Sequence, residues 1–412
     1  MRVVILNHFF HPDEAATAQL NGDLARALAQ TGKFQVAGLC GVTRYALKDR
    51  QKSDITRWND VTIERMACTD YGTRSIPGRL CDYATFFLQA LRRLLFGPRP
   101  DVVIAMTSPP LIVIAGVITK IFRGSRLIYW VQDLYPEIIA TTPAKRKRLI
   151  CRILSAVADW VDARTDLHVV PGACMEQTLR QRKYGGKINV SVIPNWSVIP
   201  TGSEAAGSSG EFRRANHLTE KFVVMYSGNL GRAHDWETIA EGFSLAAANC
   251  PRLALVLIGQ GYGMERLRKW HSSRQNLPIH FLPHQPRQNL GAALGAADLH
   301  IVSQSPDFDG LVVPSKFHGI ASVGRPVHFI GSDRNTVSRT ILDHGLGSVS
   351  AAGEPAQFAR ALERFIHDPS FTGQCAMAVT RWQEECGATE KALAQWIKAV
   401  EQIARIQESS NQ

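Results

Sequence analysis

The chain has no closely spaced cysteine pair, no unbroken apolar run long enough for a membrane span, and no short internal repeat. Its eight cysteines (positions 40, 68, 81, 151, 174, 250, 375 and 386) contain no Cys-x-x-Cys and no spacing that suits a metal. That excludes a disulfide scaffold or a zinc module, and reads as small buried hydrophobes in a reducing compartment. The longest apolar stretch, Val102 to Ile118, is interrupted by Thr107-Ser-Pro-Pro110. Such a break predicts strand, loop and helix, not a span. Met1-Arg-Val-Val-Ile-Leu6 is too short for a signal peptide and suits a first strand. Zinc-finger spacing and RNA-binding aromatic motifs are missing too, so nucleic acid is not an expected partner. The expectation is a cytoplasmic protein, at most peripheral at the inner face of the cytoplasmic membrane.

What is present is an uneven charge. Of the net +11, residues 1–200 hold 27 Lys/Arg against 16 Asp/Glu, and residues 201–412 hold 20 against 20. A basic first half suits an anionic membrane face or a phosphorylated substrate. Lys145-Arg-Lys-Arg148 leads into a helical pattern, Leu149 to Val161. It is either a core-packed helix with a solvated start or a patch for anionic lipid.

Short apolar strands alternate with helical patterns, the sequence form of doubly wound α/β sheets. Strands are expected at 3–7, 34–38, 102–105, 127–131, 167–170 and 190–193, with a helix over 17–30. Thr201 to Gly210 has the composition of a linker. The pattern restarts with strands at 222–226, 255–258, 279–282, 299–302 and 327–330, and ends in a helix over 389–406. Two such domains imply two sheet carboxyl edges facing one cleft, where ligands bind.

Asp309-Gly-Leu-Val-Val-Pro-Ser-Lys-Phe-His-Gly319 follows a strand and opens a short helix. Ser315 is placed as N-cap, with Gly324 and Pro326 as its stop. A helix start suits phosphate, and Lys316 has the wrong sign for the dipole unless an anion lies between. Tyr226-Ser-Gly-Asn-Leu-Gly-Arg232 also leaves a strand. Its glycines Gly228 and Gly231 let backbone approach a ligand, and Arg232 can grip a phosphate bidentately. Ile258-Gly-Gln-Gly-Tyr-Gly263 lacks both the dinucleotide spacing and a following ribose-binding acid. A tight turn near a nucleotide is the better reading for Gly259 and Gly261. Asp307-Phe-Asp309 has the pattern of a metal-binding pair if extended, but Arg232 and Lys316 already supply charge for a diphosphate. Asp309 then accepts from sugar hydroxyls and no metal is expected. In the first half, Asn7-His-Phe-Phe-His-Pro-Asp-Glu14 and Trp130-Val-Gln-Asp-Leu-Tyr-Pro-Glu137 leave strands as polar loops, the usual place for substrate contacts. Asp133 is either at a reaction centre or in an N-cap or ion-pair role.

Together these pieces resemble a bacterial family 4 glycosyltransferase of the GT-B fold, of the kind found in O-antigen, capsule and exopolysaccharide assembly. The resemblance runs from the Phe-Phe-His-Pro loop through Thr107-Ser-Pro-Pro-Leu111, Trp-Val-Gln-Asp-Leu-Tyr-Pro and Val192-Ile-Pro-Asn-Trp196. It continues through Tyr-Ser-Gly-Asn-Leu-Gly-Arg and Gly-Leu-Val-Val-Pro-Ser-Lys to Gly324-Arg-Pro-Val327. It implies an acceptor domain (1–200), a nucleotide-sugar domain (201–388) and a final helix (389–412) returning to the first. It implies retaining, metal-independent transfer from a nucleotide sugar, UDP-linked by preference and GDP-linked as the alternative, to a lipid-linked or growing polysaccharide acceptor. Gly228, Asn229, Arg232, Gly259, Gly261, Asp309, Gly310, Leu311, Val312, Ser315 and Lys316 would line the donor. His11, Glu14 and Asn195 would face the acceptor, and Gln132 and Asp133 the reaction. The family's glutamate pair falls on Leu311 and Gly319, so the ribose contact passes to His318 or to backbone. A nucleotide-sugar epimerase and a non-catalytic partner subunit are the alternatives.

Overall fold

The structure, a computed structural model, describes residues 1–42, 54–69, 71, 76–141, 147–199 and 205–410. Within the first sheet the strands are β1 (Arg2–Leu6), β2 (Gln35–Gly41), β3 (Ile55–Trp58), β4 (Val61–Met66), β5 (Val102–Ala105), β6 (Arg126–Trp130), β7 (Leu167–Val170) and β8 (Val190–Val192). They lie in the order β3-β4-β2-β1-β5-β6-β7-β8. The second sheet holds β9 (Phe222–Ser227), β10 (Leu253–Ile258), β11 (Ile279–Leu282), β12 (Leu299–Ser303), β13 (Val327–Ile330) and β14 (Gly347–Ser350). Their order is β11-β10-β9-β12-β13-β14. Every pairing is parallel except β3 with β4. Central strands such as β5 and β10 are buried along their whole length, because helices cover both faces of a doubly wound sheet.

The chain forms two compact units, Met1–Pro194 with Ala392–Gln412, and Asn195–Lys391. The helix Thr389–Ser410 thus starts with the second unit and continues in the first. There Trp396 packs on Trp130 with ring centroids 4.5 Å apart, both fully buried.

Three strands escape the apolar pattern. β3 and β4 form a hairpin whose two-residue turn, Asn59 and Asp60, has positive φ at both positions (45° and 63°), the geometry that suits the strand twist. Their polar alternation hides them. β14 is Gly-Ser-Val-Ser, too polar to register as a strand, and its Gly347 pairs with Val327 where an added Cβ would lie 1.8 Å from the Val327 carbonyl. The expected linker is corrected in its second half. Ala205–Ala215 is a helix, while Thr201 to Glu204 lie outside the described residues. The small Ser209 lets this helix approach the helix Arg287–Gly295 closely, and its hydroxyl donates to the Ala292 carbonyl at 2.9 Å. Of the basic cluster, Lys145 and Arg146 also lie outside the described residues. Among the described residues no helix is long and apolar enough to cross a membrane.

Three histidines are buried in the second unit. His300 donates from Nε2 to the Leu294 carbonyl (2.9 Å), His328 lies between the Ser348 and Ser350 hydroxyls (2.7 and 2.9 Å), and His318 packs beside Phe317. Burial lowers their pKa values to about 4, 3 and 4 for His300, His328 and His318. The unfolded chain takes up protons near pH 6.5, before the folded one does. Stability from these groups is therefore full above that pH and falls by about 1.4 kcal/mol per group per pH unit below it. The melting temperature should drop as pH goes from 6.5 to 4.5, and less so in His328→Gln. A flat profile over that interval contradicts this account.

Candidate active site

From β9 the chain steps outward to β10 and β11, and then returns to the other side for β12, β13 and β14. The β9/β12 border is therefore the switch point, where the loops diverge and leave room for a ligand at the carboxyl ends. Tyr226 is the penultimate residue of β9, and Lys316 follows β12 as the first residue of the helix Lys316–Ser322. The Lys316 Nζ donates to the Tyr226 hydroxyl and lies 3.8 Å from the centre of its ring. The phenol in turn donates to the Asn229 carbonyl at 3.0 Å. Burial lowers the Lys316 pKa to about 7 and raises that of Tyr226 well above its usual range. His234 donates from Nδ1 to the Ser303 carbonyl at 2.5 Å, which leaves Nε2 as an acceptor. Its pKa falls to about 3, through burial first and the Lys316 charge second.

Arg232 is exposed, with its guanidinium 4.7 Å over the Tyr262 ring. It lines a cavity of about 430 Å³ with His234, Glu237, Ser305 and Gly353. The two expected phosphate-binding cations thus rest on different tyrosines. His234 links them, since it lines the cavity of Arg232 and responds to the charge of Lys316. Gly228, Gly259 and Gly261 have φ of 116°, 123° and 123°. A Cβ on Gly259 would lie 2.4 Å from the Gly228 carbonyl, and one on Gly261 would lie 2.2 Å from Asn229 Oδ1. These glycines bring the two loops into backbone contact, which the dinucleotide comparison did not reveal.

The loop from Pro306 to Val312 carries the other expected donor residues. Two buried amides hold it. Gln304 donates to the Phe308 carbonyl at 2.6 Å and to the Val312 carbonyl at 3.3 Å. Asn335 donates to Gln304 Oε1 at 3.0 Å and to Asp309 Oδ1 at 3.3 Å, while its own Oδ1 caps the next helix at Val337 N. Pro306–Phe308 is a 3-10 turn, so Asp307 and Asp309 do not sit together on an extended segment, the geometry that a metal-binding pair would need. Gly310 has φ 71° and Leu311 is buried. Ser315 makes no side-chain cap, because its own backbone is already helical and its side chain is exposed. Gly324, at φ 64°, does end the turn, donating to the Ala321 carbonyl. His318 is corrected as a ribose contact, since its ring lies in the core 5.5 Å from Phe317 and 6.4 Å from Trp382. A Cβ on Gly319 would meet only Leu294 and Ile199, at ordinary contact distance.

In the first sheet the switch point lies between β1 and β5, where His8 N donates to the Ser108 carbonyl at 2.7 Å. Leu111, in the same loop, has φ 68°, a strained position for a bulky residue that tends to mark functional segments. Next along the edge, Gln132 N donates to Thr107 Oγ1 at 3.4 Å. The Asp133 carboxyl makes no hydrogen bond among the described residues, and burial raises its pKa to about 6. Its loop is clamped by Arg182, which bonds to both Glu137 oxygens (2.9 and 2.7 Å), to Asp162 (3.2 Å) and to the Tyr135 carbonyl (2.8 Å). Nothing in the sequence pattern singles out Arg182. Tyr226 did carry a signal, a phenol inside an otherwise apolar strand. His11 stacks on Trp58 with centroids 4.0 Å apart, Glu14 is exposed, and Asn195 is buried as the first residue of the second unit.

Residues 17–196 match the family described as "Glycosyl transferase 4-like domain". The chain is 24% identical over 282 residues to the probable glycosyltransferase WbjE of Pseudomonas aeruginosa, covering 67% of this chain and 69% of that one. It is 34% identical over 142 residues to the putative colanic acid biosynthesis glycosyl transferase WcaI of Escherichia coli K12, covering 33% of each. Among solved structures it resembles Anabaena HepE in complex with UDP and glucose, at 15% identity and a TM-score of 0.71, covering 98% of this chain and all of that one. The two doubly wound units are those of the GT-B fold, and over residues 17–196 the chain is similar to the glycosyl transferase 4-like domain.

Proposed function

We propose that the enzyme transfers a hexose-type sugar, with retention and without a metal, from a nucleoside diphosphate to a lipid-linked or growing polysaccharide acceptor. The observation that carries the donor reading is Lys316 at the β9/β12 switch point, oriented by Tyr226, with Arg232 on the loop that follows β9. As the glycosidic bond breaks, the leaving diphosphate gains negative charge. Lys316 supplies compensating charge from a desolvated position, where it is worth most, and the exposed Arg232 adds to it. Gly228, Asn229, Gly259 and Gly261 set the backbone, and Asp309 with Gly310, Leu311 and Val312 meets the sugar. A UDP donor is favoured by the UDP and glucose bound to HepE. In the first unit the unpaired Asp133 carboxyl, with Gln132 beside it, is the group assigned to the acceptor hydroxyl. His11 and Glu14 extend the acceptor loop.

The lipid-linked acceptor and the anionic membrane surface rest on an exposed apolar face. Three neighbouring helices, Ile76–Phe96, Val113–Arg123 and Lys147–Asp162, pack together in the first unit. They expose Leu88, Phe96, Phe122, Leu149 and Ile153, with relative exposures from 56% to 83%. Exposed Arg92 and Arg152 lie on two of the same helices. Apolar side chains beside cations suit a bilayer interface rich in anionic lipid.

Arg232→Ala or Lys316→Ala should each lower kcat/KM by about 2–4 kcal/mol of transition-state stabilisation, measured in excess chelator, where the parent enzyme keeps its activity. Near-parental rates in either variant remove the donor assignment. Because Lys316 titrates near 7 and a bound diphosphate favours its charged form, binding above that pH must take up a proton. The Kd for UDP should be flat below about pH 7 and rise by up to about tenfold per unit above it. Lys316→Arg should abolish that slope, and a pH-independent Kd in the parent would refute it. Vesicles with 30–40% anionic lipid (on the order of cytoplasmic-leaflet charge) should sediment the enzyme, and Leu149→Glu with Ile153→Glu should release it. Equal sedimentation of the double variant argues against this face.

A further inference from the structure

At the amino-terminal edge of the second sheet, where β9, β10, β12 and β13 begin, lies a cavity of about 500 Å³. Lys316 belongs to the opposite edge. Four cations line this cavity, Arg213, Lys221, Arg252 and Arg325, against one carboxylate, Asp298. The carboxylate is already committed, since Arg213 pairs with Oδ1 at 2.7 Å and Val223 N donates to Oδ2 at 2.7 Å. Arg213 is committed as well, with Nε on the Ala296 carbonyl at 2.8 Å.

The other three cations each use one donor on a backbone carbonyl. Arg325 binds Gly295 O (2.6 Å), Lys221 binds Pro251 O (3.2 Å) and Arg252 binds Glu220 O (3.2 Å). A guanidinium carries five N–H groups and an ammonium three, so most of their donors remain available. Closing the carboxyl end of the helix Arg287–Gly295 accounts for Arg213 and Arg325. It does not account for Lys221 and Arg252, which lie before other strands. Like charges gathered over a floor that includes Phe222 and Phe365 repel one another, and an anion that joins them relieves the repulsion. Burial disfavours the charged form of Arg325; Asp298 opposes that shift, and a smaller repulsion from Arg213 adds to it.

We infer that this cavity is a second anion site, built for a multiply charged phosphate-class oxyanion such as diphosphate, and separate from the donor site. This inference stands whether or not the donor reading does. The probe is inorganic diphosphate, titrated calorimetrically at fixed ionic strength into the full chain carrying Lys316→Ala. A saturable site should persist there. Adding Lys221→Gln or Arg252→Gln should weaken it about tenfold or more, the scale of a lost charge-assisted hydrogen bond. Both positions are on the surface side of the cavity, so these variants avoid the risk that Arg325→Gln unfolds its helix end. Sugar transfer by Lys221→Gln should match the parent in phosphate-free buffer. Loss of saturable binding on Lys316→Ala alone, or unchanged affinity in both Lys221→Gln and Arg252→Gln, overturns the assignment.

Discussion

An ammonium group held against the face and hydroxyl of a buried tyrosine is an expensive arrangement for a folded protein. Taking Lys316 out of water disfavours its charge, and the ring and phenol of Tyr226 return only part of that cost. The rest of the second unit is arranged around keeping it there. The phenol is fixed by the Asn229 carbonyl, the loop of Asn229 is fixed by glycines that admit backbone contact, and the loop on the β12 side is fixed by Gln304 and Asn335. A cation kept partly desolvated before its ligand arrives needs no reorganisation when negative charge develops.

The fold was legible wherever strands are buried on both faces. β5, β7 and β13 begin and end where the apolar runs do, since a parallel strand under two helical layers has no polar alternation to blur it. The more polar strands were not legible, for the converse reason. β3, β4 and β14 carry polar residues because one side or end meets water. The Ser-Gly segment after Glu204 reads as a linker by composition, yet small residues are also what a close helix pair selects.

The site was legible in part. Glycines and cations after strand ends pointed to loops at the carboxyl edge of a doubly wound sheet, where chemistry collects. Most of the residues that orient those groups were not, since His234, Gln304, Asn335 and Arg182 act through contacts distant in sequence. The spacing of Asp307 and Asp309 does not by itself put their carboxylates on one side. Alternate residues share a side only on extended backbone, and a 3-10 turn with an amide tether removes that condition.

The final helix has a consequence for how the polypeptide can be divided. The chain passes between the two units twice, at Pro194/Asn195 and again at Lys391/Ala392, so the first unit is not a contiguous stretch of sequence. A fragment ending at residue 194 would expose the indole of Trp130, which in the intact protein is covered by Trp396 from more than 260 positions downstream. During synthesis the first half therefore cannot bury that ring until nearly the whole message has been read.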